Sequence, residues 1–272
     1  MLMGAMLLAG CLHHSAKRAE RIAAENGWLP VAWRGAMLPV RGYNKTPPGP
    51  AATGWIVYLE GDGHAWDDRH TPSTDPTPRE PVALQLAVQD PSPNVLYLGR
   101  PCQYECRNDR RCHQRYWTSH RYAEAVIDST DEAIKGVIGE KAGKIGLIGY
   151  SGGGAVAVLL AARRDDVDWL ITIAGNLDQG AWTDYHGVSP LNGSLNPADA
   201  AEAIQRIPQV HYVGGEDNIV PESLVRGFLD RMSDPAKSRL IEVPSFGHRD
   251  GWRENWVKLR TKAMYVIEEE FK

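Results

Sequence analysis

The chain has 272 residues, 43% of them hydrophobic and 24% charged, with a formal net charge of -4. This length and balance suit one large α/β domain with a sizeable core and exclude a disordered or fibrous chain. The slight acidity argues against nucleic acid as a partner, because phosphates require clustered Lys and Arg, and the basic run from Arg107 to Arg111 is short and interrupted by Asp109.

Residues 1 to 10 read MLMGAMLLAG and are followed by Cys11. An apolar run ending in small residues has the form of an export signal. Leu8-Ala9-Gly10-Cys11 also resembles the bacterial lipobox, which implies cleavage before Cys11 and acylation of that residue. By the same resemblance, the absence of Asp at Leu12 points to a lipid anchor in the outer membrane. The run is shorter than the roughly 20 residues a membrane-spanning helix needs. The other reading is a cytoplasmic protein with an apolar end. The expected division is a signal over 1 to 11, a tether and first helix over 12 to 30, and one domain over 31 to 272.

A first helix is expected from Ala16 to Asn26, stopped by Gly27, then edge-strand character over 31 to 42 and a turn-rich loop over 46 to 54. Trp55 to Leu59 is a continuous apolar run, the pattern of a strand buried on both faces. Val82 to Val88 reads as a short helix and Asn94 to Leu98 as the next strand. Cys102, Cys106 and Cys112 then fall in one stretch. An exported chain favours a disulfide here; Cys102 with Cys112, leaving Cys106 free, is preferred, although sequence does not fix the connectivity. A zinc site from the three cysteines and His113 is the alternative, but the spacing lacks paired C-x-x-C knuckles.

From His120 to Glu140 apolar residues recur at helical spacing and give one wide face. Lys144 to Gly149 reads as a strand, Gly152 to Arg163 as a helix, and Trp169 to Ala174, Gln209 to Val213 and Arg239 to Val243 as strands. Trp252 to Phe271 closes the chain as a helix. Strands separated by helical crossovers predict a mostly parallel sheet with helices on both faces. Ligands in such sheets sit beyond the carboxyl ends of the strands.

Chemistry is concentrated there. Gly149-Tyr150-Ser151-Gly152-Gly153 fits G-x-S-x-G between a strand and a helix, the context that turns the motif into a nucleophile elbow. A serine hydroxyl needs a base, and His248 follows the last strand. A carboxylate should orient the imidazole, and Asp217 follows the strand before it. Ser, Asp, His is the chain order of the α/β-hydrolases. Asp178 and Glu216 are rival acids, and His186 and His211 rival bases. An oxyanion hole needs two backbone N–H groups, expected from Gly152 and from Asp62 in the loop after Trp55 to Leu59. His64 and Trp66 are candidate pocket residues in that loop.

The segments YLEGDGHAW, GYSGGG, GGEDNIVP and FGHRDGW together resemble α/β-hydrolases of the esterase and lipase type, and especially a group of bacterial α/β-hydrolase lipoproteins. The resemblance implies an α/β-hydrolase fold and hydrolysis of an ester, thioester or amide in a small-molecule substrate through an acyl-enzyme. It implies no metal or organic cofactor. Many members have His-Gly where this chain has Glu60-Gly61. It also implies a short lid over about 175 to 208, with Trp182 and Tyr185 as pocket candidates. A catalytically silent surface binding protein on the same scaffold is the competing reading, since fold alone does not imply activity.

Overall fold

The computed structural model describes residues 5–35, 37–45, 54–104, 109–139 and 143–271, with side chains from residue 15 onward. In chain order these form α1 (Ala5–Glu25), β1 (Leu29–Trp33), β2 (Val40–Asn44), β3 (Trp55–Leu59), α2 (Val82–Ala87), β4 (Val95–Leu98) and α3 (Glu124–Ile138). Then come β5 (Ile145–Tyr150), α4 (Gly152–Ala161), β6 (Val167–Ile173), α5 (Gln179–His186), α6 (Ala201–Ile204), β7 (Gln209–Gly214), α7 (Glu222–Leu229), β8 (Ser238–Val243) and α8 (Trp252–Tyr265). The strands make one sheet in the order β1-β2-β4-β3-β5-β6-β7-β8. β2 runs antiparallel to both β1 and β4, and every pairing from β4 to β8 is parallel. The expected sheet, mostly parallel with helices on both faces, is therefore present.

The period of two along each strand separates the core into two layers. On β3, Val57 and Leu59 pack with α3 and α4, while Tyr58 faces the opposite layer under α1, α2 and α8. Trp252 and Trp256 anchor α8 in that second layer with no exposed surface. Every residue of α4 is buried. A helix apolar all round belongs in the core, so the element that starts just after Ser151 is enclosed by the fold.

Several boundaries differ from the sequence reading. α1 begins at Ala5 rather than Ala16, because Met, Leu and Ala are strong helix formers and the apolar stretch continues the helix backwards. Cys11 falls within its span, and its side chain lies outside the described residues, as does Cys106. The stretch 31 to 42 is two strands rather than one. The helix expected from His120 starts at Glu124, because the residues before it leave helical geometry to serve the loop after β3. Beyond Tyr265, α8 loosens into a π-helical turn over Val266–Glu270. Cys102 and Cys112 form a disulfide with Cα atoms 5.6 Å apart. Their sulfurs are bonded to each other, and His113 accepts the amide of Arg115, so the zinc arrangement does not form from these residues.

Candidate active site

Ser151 sits between the end of β5 and the start of α4 at φ 52°, ψ -121°. This is a strained conformation for a residue with a side chain. The turn is tight enough that Cβ atoms at Gly149 and Gly153 would lie 2.3 Å and 2.1 Å from backbone oxygens. Only glycine fits at both positions, and the hydroxyl is thereby lifted off the sheet. His248 follows β8. Its Nε2 lies 3.0 Å from Ser151 Oγ, and its Nδ1 lies 2.8 Å from Asp217 Oδ2. Trp252 Nε1 and the Tyr150 hydroxyl both donate to the His248 carbonyl and fix the backbone carrying the imidazole.

Asp217 follows β7, and its side chain is fully enclosed. Its Oδ1 accepts the amides of Ile219 and Val220 at 2.8 Å and 2.9 Å, leaving Oδ2 for the imidazole. The rivals have other work. Asp178 caps α5 and pairs with Arg231, and Glu216 is exposed. His211 is wholly buried between the Thr172 hydroxyl and the Gln209 side-chain oxygen Oε1, and burial lowers its pKa to about 3. His186 meets the Ile219 carbonyl at 2.8 Å.

The loop after β3 is held by charged side chains that the motif does not announce. Asp62 accepts from Arg100 and Arg121, each at 2.8 Å, and from the Tyr122 hydroxyl at 3.2 Å. Burial raises its pKa, but the two guanidinium groups outweigh this and hold it below the usual carboxylate range. On the other side of Gly61, Glu60 is 1% exposed. It accepts from the amides of Gly61 and Ala83 and from the Tyr97 hydroxyl. Burial lifts its pKa to about 7 against these bonds. Gln103 donates to the Gly61 carbonyl at 3.2 Å. The amide of Gly152 is at the first position of α4, where no intrahelical acceptor exists. Among the described residues neither it nor the amide of Asp62 donates to a protein acceptor.

A cavity of about 590 Å³ opens over Ser151 and His248. His64, Trp66 and Trp182 border it, together with Asp62 and Arg121. Tyr185 does not: it is 56% exposed and packs edge-on against His186. The stretch 175 to 208 holds α5 and α6, and Trp182 is its aromatic contact with the cavity. The Trp182 indole donates to the Ile219 carbonyl. Sequence reasoning missed Arg100, Arg121, Tyr122 and Asn176. The first three come from distant segments with no local signal. Asn176 follows the carboxyl end of β6, and that placement is the one cue that could have found it. Among the described residues no cluster of three or more His, Cys, Asp or Glu is arranged for a metal, and no helix is long and apolar enough to cross a membrane.

Sheet order, elbow and the residues gathered at the strand ends define an α/β-hydrolase of the serine hydrolase class. The chain belongs to the serine hydrolase (FSH1) family, whose sequence model matches residues 92–248, more than half of its length. Solved structures share the fold at low identity. Est1E from Butyrivibrio proteoclasticus superposes with a TM-score of 0.57 at 14% identity, over 88% of this chain and 98% of that one. The α/β hydrolase GrgF from Penicillium sp. sh18 gives 0.60 at 14%, over 90% and 98%. The esterase Pf2001 from Pyrococcus furiosus gives 0.57 at 16%, over 92% and 93%. No curated protein sequence matches this chain.

Proposed function

We propose that this serine hydrolase cleaves a carboxylic ester, or a related thioester or amide, of a small molecule through an acyl-enzyme on Ser151. The observation that carries the reading is the unbroken relay from Ser151 Oγ to His248 to the enclosed Asp217 carboxylate, with 3.0 Å and 2.8 Å steps. Ser151 Oγ attacks the carbonyl carbon as its proton passes to His248 Nε2. The charge on the carbonyl oxygen is received by the amides of Gly152 and Asp62. Collapse breaks the bond to the leaving oxygen, which takes the proton from Nε2. Water, deprotonated by the same nitrogen, then releases the acid and restores Ser151. Asp217 keeps the proton of neutral His248 on Nδ1 and stabilises the imidazolium.

A fluorophosphonate probe tests the reading. The purified protein is expected to label covalently and Ser151→Ala to remain unlabelled. A folded wild-type protein that takes no label would favour the silent scaffold instead. We also propose acylation of Cys11 and anchoring at the bacterial outer membrane, on the strength of the Leu8 to Cys11 motif. Radioactive fatty acid should enter the wild-type protein in cells and not Cys11→Ser; equal incorporation into both would refute the anchor.

A further inference from the structure

Asn176 lies on the wall of the cavity over Ser151 and is 3% exposed. Its backbone amide donates to the Ser151 carbonyl at 3.1 Å, so its position is tied to the nucleophile itself. Its side chain is tied to nothing. Oδ1 is sealed from solvent without a hydrogen-bond partner, and among the described residues Nδ2 has no protein acceptor either. Buried amides are almost always satisfied within the fold, because leaving them unmade destabilises it. One that is left unmade beside a nucleophile is a group prepared for something that arrives later. Other polar groups on the cavity wall do not supply the missing partner. Asp62 and Arg121 are committed to each other, and the Trp182 indole is committed to Ile219.

The geometry points to Asn176 as a specificity-determining residue that binds a hydroxyl group of the substrate close to the scissile bond. This rests on the reading of Ser151 as nucleophile. Because Oδ1 is enclosed, Nδ2 is the end left for the cavity, and a substrate hydroxyl oxygen accepts from it. An alkyl group in the same place would leave the amide unpaired, and sites built to hydrogen-bond a substrate hydroxyl discriminate strongly against the analogue lacking it.

The test compares matched esters: ethyl lactate with ethyl propionate, and 2-hydroxyethyl butyrate with propyl butyrate. Wild-type protein, Asn176→Ala and Asn176→Asp are assayed for kcat/KM, with fluorophosphonate labelling as the control for an intact Ser151. The wild type is expected to favour the hydroxylated member of at least one pair by about tenfold or more. Asn176→Ala should bring that ratio close to one. Asn176→Asp, which keeps an acceptor, should retain part of the preference and serves if the alanine variant does not fold. Plain-ester turnover with no preference in either pair, or a preference that survives in Asn176→Ala, overturns the inference and leaves the hydrolase reading intact. Absence of both labelling and turnover in the folded wild type overturns the two together.

Discussion

The carboxylate of Asp217 has no exposed surface, and all its bonding capacity is spent on two amides and one imidazole. Replacing it with Asn keeps the shape and the two amide bonds but favours the wrong His248 tautomer. Asp217→Asn is therefore expected to lower kcat by roughly 10³ to 10⁴-fold with little change in KM, which steady-state kinetics on any accepted ester would check. Asp62 gives a different outcome. Asp62→Asn would weaken its pairing with Arg100 and Arg121, whose side chains are 7% and 8% exposed. Breaking such a buried pair is expected to cost about 3 kcal/mol or more and to slow turnover as the proposed oxyanion donor loses its anchor. Chemical denaturation and kcat measure the two effects, and wild-type values in both would count against the clamp. The meeting of Ser151, Asp217 and His248 was legible in the sequence because each lies one short step beyond a strand, in a fixed chain order. The clamp was not legible. Arg100 and Arg121 reach Asp62 across separations of 38 and 59 residues, and no local pattern encodes a meeting at that range.

Among the elements, the turn that follows β3 shows how a buried charge shapes behaviour. Glu60 has an ordinary pKa of 4.5 and is raised to about 7 in the fold by burial. Between those values the folded chain keeps a proton that the unfolded chain has released. The stability this contributes is fully present below about 4.5 and is lost as pH rises through about 7. Glu60→Gln cannot ionise, so its melting temperature relative to wild type should be higher at pH 8 than at pH 5. The gain should approach 3 kcal/mol, from about 1.4 kcal/mol per pKa unit. A difference that does not vary with pH would refute the assignment. The interior strands were readable because burial on both faces writes a continuous apolar run, as in Trp55 to Leu59. β1 and β2 were merged because Gly35 and Pro39 at the turn between them gave too weak a break. The start of α3 was misplaced because Tyr122 fits the helical apolar face by spacing, yet its hydroxyl is used by Asp62.

For the whole molecule, the disulfide between Cys102 and Cys112 closes a short loop between the segments that carry Arg100 and Arg121. A closed loop of about ten residues is worth about 2 to 3 kcal/mol through the unfolded state. Replacing both cysteines with serine should lower the melting temperature by roughly 4 to 5 °C and reduce turnover as the two arginines lose their common tether. Unchanged melting would rule out a structural role for the bridge. The strain at Ser151 bears on the molecule at the same scale. Its φ of 52° is a conformation glycine adopts freely. Ser151→Gly is therefore expected to melt above Ser151→Ala, by about 1 kcal/mol of stability, and both should be inactive. The position where the proposed chemistry depends on a side chain is one where the backbone would be more relaxed without it. Mutational drift toward a sturdier protein thus leads through loss of the proposed nucleophile.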